Sequence, residues 1–168
     1  MDIKKALKEI EKSDKYHDWK HKNKNTFLAH VFAMFDAKNE NMLQFGYYNS
    51  DNDKITTFIV EGEKVSVSAE SEIFKKDENE VKALELDKVK LTLDQAKDIM
   101  KEFQENKYAR EKPNNSFVIL QHIEHGNVYN FTYVTAAFNM LNAKIDSSTG
   151  EILESHLNSL MDIGSFEK

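Results

Sequence analysis

Thr26-Phe-Leu-Ala-His-Val-Phe-Ala-Met-Phe35 is the stretch on which the fold turns. After Thr26, His30 is its only polar side chain. Alternation places Phe27, Ala29, Val31, Ala33 and Phe35 on one side of a strand, and Leu28, Phe32 and Met34 on the other. A strand apolar on both sides is normally buried on both. Phe117, Ile119 and Ile123, set against Val118 and Leu120, repeat the pattern further along the chain. A helix covers one face of a sheet, so the second face needs a cover of its own. A sister unit, a second copy or a partner would each supply it, and two sheets packed face to face in one monomer would supply it internally.

The two strands begin the search for a repeat. A shift of 90 residues lays Ile3, Ala6, Ile10, Asn25 and Phe27 on Leu93, Ala96, Met100, Asn115 and Phe117. A shift of 86 then lays Asn41–Tyr47 on Asn127–Tyr133, and Ile59 on Ile145. This register predicts a unit written twice, each copy a helix followed by a strand meander. Ile3, Ala6, Leu7 and Ile10 have helical spacing with Asp2 as the cap. Leu93, Ala96, Ile99, Met100 and Phe103 form a second stripe, opened by Thr92 and Gln95 at capping-box spacing. The strands are expected at about 26–36, 42–49, 54–61 and 64–70, then 116–125, 127–135, 138–146 and 151–157. Turns at His125-Gly-Asn127 and Ser147-Ser-Thr-Gly150 make the meanders antiparallel. The expected organisation is a first unit at 1–74, an ordered connector at 75–90 with Leu84, Leu86, Val89 and Leu91 forming an edge strand, and a second unit at 91–168.

Composition removes several kinds of chemistry. With no cysteine among 168 residues there is no disulfide, thiolate metal site or cysteine nucleophile. A net charge of −6 argues against a general nucleic-acid binder. Residues 1–24 carry +3 and the rest −9, and the basic segment reads as the wet face of a helix. No apolar run has the roughly 20 residues of a membrane span, and no signal-peptide core follows Met1, which points to a cytoplasmic protein.

The remaining polar clusters are weak. His17 and His21 share a helix face but lack the Glu of a zincin helix. His122 and His125 point to opposite sides of a strand, with Glu124 beside them. Asp146-Ser-Ser-Thr-Gly150 has too few carboxylates for a calcium loop, and as a turn it is complete: Asp146 accepts backbone N–H bonds and Gly150 takes a positive φ. No phosphate-binding glycine loop or nucleophile elbow is present. The sequence therefore predicts no catalytic, metal or cofactor-binding residue.

Asn127-Val-Tyr-Asn-Phe-Thr-Tyr133, followed by Ala143-Lys-Ile-Asp-Ser-Ser-Thr-Gly-Glu-Ile152 and preceded by the helix from Leu91-Thr-Leu-Asp-Gln-Ala96, resembles the PepSY domain. The resemblance covers about residues 91–155, and the first unit looks like a degenerate copy without the Thr-Gly turn. It implies an α+β chain of two tandem cystatin-like units, each a helix packed on a roughly four-stranded sheet. It also implies a non-enzymatic module that binds or restrains other proteins. Most members of the family are exported or tethered, which this sequence does not signal. The expected contact is with another protein, or with a second copy, through the sheet faces. Phe45, Tyr47, Tyr129, Phe131 and Tyr133 are the candidate anchors, with helix-facing core as their other reading. The alternatives are a homodimeric structural protein and a small-molecule-binding enzyme with a cystatin-like pocket built around His30, His122 or Glu124.

Overall fold

A computed structural model describes residues 1–73 and 80–163, so residue 74, the connector at 75–79 and the tail at 164–168 lie outside the described residues. Helices α1 (Ile3–Lys12) and α2 (Asp14–Lys22) lead into β1 (Thr26–Met34), β2 (Met42–Asn49), β3 (Lys54–Glu61), β4 (Lys64–Val67) and β5 (Ser71–Glu72). Helix α3 (Leu93–Lys107) precedes β6 (Pro113–Ile123), β7 (Gly126–Thr135), β8 (Asn139–Asp146), β9 (Ile152–Ser159) and the single turn α4 (Leu160–Ile163).

The helices start where their caps predict. Asp2 accepts the Lys5 N–H at 3.0 Å. Thr92 and Gln95 close a full capping box, with bonds of 3.1 and 2.9 Å. Ser13 ends α1 and begins α2: its hydroxyl donates to the Ile10 carbonyl at 2.7 Å and accepts the Tyr16 N–H at 3.2 Å.

The sheet corrects the expected architecture. The nine strands form one antiparallel sheet in the order β4-β3-β2-β1-β6-β7-β8-β9, with β5 alongside β3. The pair of separate cystatin-like units, each a helix on its own four-stranded sheet, does not form. β1 and β6 pair edge to edge, with Val31 opposite Leu120, Ala33 opposite Val118 and Met34 opposite Phe117. Face-to-face stacking of two sheets within the chain is overturned by the same pairing. The physical reason is that the two most apolar strands also carry free N–H and C=O groups, and pairing them satisfies both edges at once. The outer strands β4 and β9 are the polar ones.

The main core follows on one face of this sheet, while Ala29, Ile55 and Val128 are buried on the other. Ile3, Ala6 and Ile10 of α1, with Leu93, Ala96 and Met100 of α3, pack on Val31, Phe45, Phe58, Leu120, Phe131 and Leu141. Burying each of the larger of these side chains contributes about 1.5–3 kcal/mol. The expected edge strand at 84–91 is absent. That segment instead drops Leu84 and Val89 into the core, and Leu84 N–H bonds the Leu28 carbonyl at 2.8 Å.

A bulge in β1 revises the simple alternation. The register shifts between Leu28 and His30, so Leu28 lies opposite Tyr47 while Val31 lies opposite Phe45. Ala29 is the extra residue. Leu28 therefore joins the helix side, and Phe27 joins the other side, where its ring meets Tyr48 at 5.3 Å.

Candidate functional site

The five predicted anchors are core residues. Phe45, Tyr47, Tyr129, Phe131 and Tyr133 are all buried, on the side that α1, α2 and α3 cover. Tyr47 sits in a four-ring cluster with Phe58 and with Tyr16 and Trp19 of α2, at centroid distances of 5.1 to 5.9 Å. The Tyr129 hydroxyl donates to the Leu91 carbonyl at 2.8 Å and ties β7 to the start of α3. Burial pushes the Tyr47 and Tyr129 hydroxyls well above the ordinary tyrosine range, and Tyr133 up to about 12. Their contacts are internal, so a partner would meet other residues.

Those other residues lie on the opposite face, which carries none of α1, α2 or α3. Its centre is apolar. Phe32 pairs with Ile119, Met34 pairs with Phe117, and the Phe32 and Phe117 rings lie 5.8 Å apart. Ile59, opposite Gln44, extends the apolar strip onto β3. These side chains are half-buried, shielded by their strand neighbours rather than by a second layer. Towards β8 the face becomes polar. Asn142 donates to Asn130 at 2.8 Å and to Thr132 at 3.1 Å, and Lys144 pairs with Glu154.

At one end of this face the strands and residues 80–82 line a recess of about 640 Å³. Phe32, Gln44, Thr57, Ile119 and Gln121 form its floor, and Ile73 and Val81 belong to its wall. The β1 bulge sets both Ala29 and His30 against Gly46 and turns His30 onto this face. Its imidazole lies directly over the glycine. A Cβ at position 46 would stand 2.2 Å from His30 Cε1 and 2.5 Å from Nε2. Burial lowers the His30 pKa below the ordinary histidine value, so the ring is neutral at physiological pH.

The other titratable candidates separate. His122 reaches the recess from the strand end, its Nδ1 held 2.9 Å from the Ala83 carbonyl. Glu124 and His125 are exposed in the β6–β7 turn, and His17 and His21 are exposed on α2. Among the described residues no three His, Asp or Glu side chains are grouped to hold a metal ion. The Asp146 carboxylate accepts the Ser148 and Thr149 N–H bonds, both at 2.8 Å, and Gly150 has φ +80°, the turn read from the sequence. Burial alone would raise the Asp146 pKa, but those N–H bonds outweigh it and hold the carboxyl below its usual range.

Sequence reasoning named His30 as a pocket candidate and passed over Gly46. A lone glycine inside an otherwise apolar strand signals close approach of another group, and that is the cue that would have found the pair.

No family model matches the chain, and no curated protein matches it. Its structure is similar to that of a protein from Clostridium difficile 630 described as a "putative lipoprotein", with a TM-score of 0.55 and 17% sequence identity over 86% of this chain and 91% of that one. At that identity the likeness concerns the fold alone. No helix among the described residues is long and apolar enough to cross a membrane.

Proposed function

We propose that this chain is a non-enzymatic protein-binding module of the PepSY kind, and that its partner docks on the face of the sheet away from α1, α2 and α3. The observation that carries this reading is the apolar centre of that face, Phe32, Met34, Ile59, Phe117 and Ile119, which lies on the side away from α1, α2 and α3 and stays only half-buried. Contiguous apolar surface rimmed by amides and charges is the composition of a protein contact. A partner here meets side chains already fixed by their strand neighbours, so little rotamer entropy is lost on docking.

The test is Phe117→Glu, which places a charge in the middle of the strip. Crosslinking in the native host should recover a partner with the parent chain and lose it with the variant, while circular dichroism stays unchanged. An identical set of crosslinked proteins from both chains would overturn the reading. Self-association is the second form of this proposal. It predicts a concentration-dependent dimer in sedimentation that Phe117→Glu dissociates.

Location is part of the same proposal. The sequence pattern suggests a cytoplasmic module, whereas the description of the structural neighbour as a lipoprotein suggests an exported one. Fractionation of the native host with an antibody to the folded chain distinguishes them.

A further inference from the structure

The recess takes in Phe32 and Ile119 at one end of the strip and differs chemically from the rest of it. Two locally unfavourable features coincide there: a bulge that interrupts the β1 ladder, and a glycine in the interior of β2. Together they turn one imidazole onto the sheet floor and clear the space beneath it. The side chains of His30, Thr57 and Gln121 have no hydrogen-bond partner among the described residues. Among the described residues no fully buried side-chain polar atom is left unpaired, so these groups open into the recess rather than into closed core. A concave site of several hundred Å³ with a few convergent polar groups on an apolar floor is the form of a small-molecule site.

The kind of ligand follows from charge. The hydrogen-bonding groups of the floor are an imidazole, a hydroxyl and the amides of Gln44 and Gln121, and all are neutral. The charged side chains of Glu72, Glu80 and Lys82 stand exposed at the rim. An ionised ligand group on the floor would lose its hydration and gain no fixed counter-charge. A neutral imidazole offers one donor and one acceptor nitrogen, and each glutamine offers both functions as well. Phe32 and Ile119 supply the apolar surface next to them.

We propose that the recess over Gly46 binds an uncharged small molecule with a flat apolar body and an amide-like edge, held by His30 and Gln121. The apolar body rests on Phe32 and Ile119, and the polar edge exchanges hydrogen bonds with the imidazole and the glutamine amide. The site shares Phe32 and Ile119 with the docking strip but requires no protein partner, so its test by small-molecule titration can fail or succeed whatever crosslinking of the strip shows.

Three probes share a ring and differ in charge: indole-3-acetamide is neutral, indole-3-acetate anionic and tryptamine cationic. Each is titrated into the isotopically labelled full chain at pH 7.5 and followed by NMR. The acetamide should shift the His30 Cε1–H, Thr57 and Gln121 side-chain signals and bind at least about tenfold more tightly than either ion. His30→Phe keeps a ring over Gly46 and removes its hydrogen bonding, and should weaken acetamide binding about fivefold. Gln121→Leu should have a similar effect and serves as the second variant if the first does not fold. Equal affinity for the three probes overturns the proposal. So do shifts confined to another surface, silence from all three at millimolar concentration, or unchanged binding in the folded variants.

Discussion

Gly46→Ala tests the geometry at the recess most directly. The backbone tolerates the change, because Gly46 does not have a positive φ. In isolation, replacing glycine there should stabilise the chain by about 0.4–1 kcal/mol through the unfolded state. The new methyl carbon, however, would lie 2.2, 2.5 and 2.8 Å from three atoms of the His30 ring. Ordinary carbon contacts are about 3.5–4.0 Å, so the ring must move by more than an ångström. The bulge fixes the Cα from which that ring hangs. Overpacking of this kind costs about 1–3 kcal/mol, which outweighs the entropy gain in most of that range. In a His30→Ala background the obstruction is gone, and Gly46→Ala should become stabilising. The predicted signature is thus a change of sign, with a coupling energy of about 1–3 kcal/mol. Urea unfolding followed by the fluorescence of Trp19, the only tryptophan, measures it. That indole packs 5.1 Å from Phe58 and so reports on the core. If Gly46→Ala has the same effect in both backgrounds, within about 0.5 kcal/mol, the imidazole does not lie over the glycine and the site reasoning fails.

Three further outcomes are expected. Phe131→Ala should cost about 3–5 kcal/mol because Phe131 is fully buried under the helices, and Phe117→Ala clearly less because it is only half-buried; equal losses in urea unfolding would mean that the core is on both faces. Thr92→Ala removes the hydroxyl side of the α3 capping box and should cost about 0.5–2 kcal/mol, read as a lower unfolding midpoint. His30 is held neutral in the fold, whereas an unfolded histidine titrates near 6.5. The unfolded chain therefore takes up more protons as pH falls below about 7, and stability should decline from there towards the folded-state pKa, where the loss levels off. His30→Gln should remove that part of the slope between pH 7.5 and 5.5, and an unchanged slope would show that His30 titrates normally.

The parts of this fold legible in the sequence are those governed by neighbours in the chain. The stripe Ile3–Ala6–Ile10, the Thr92–Gln95 box and the Asp146–Gly150 turn each depend on interactions spanning a few residues, and each forms as read. The tyrosine-rich pattern on β2 and β7 was equally visible, but its side was not. Alternation divides residues into two sets and says nothing about which set a distant helix will cover. The β1 bulge was invisible for a related reason: inserting Ala29 reverses the phase of Phe27 and Leu28, and only the partner strand reveals the extra residue.

Composition and periodicity thus determined α1, α3, the hairpins and the two strands apolar on both sides, because those follow from local sterics and a repeat of two or 3.6 residues. Tertiary structure alone decided that those two strands join one sheet along their edges instead of stacking two sheets. Edge pairing satisfies two rows of backbone hydrogen bonds, an energy that side-chain patterns do not record. The same choice left a sheet face that α1, α2 and α3 do not cover and, at its end, set His30 over Gly46, two residues that meet only when the strands lie side by side.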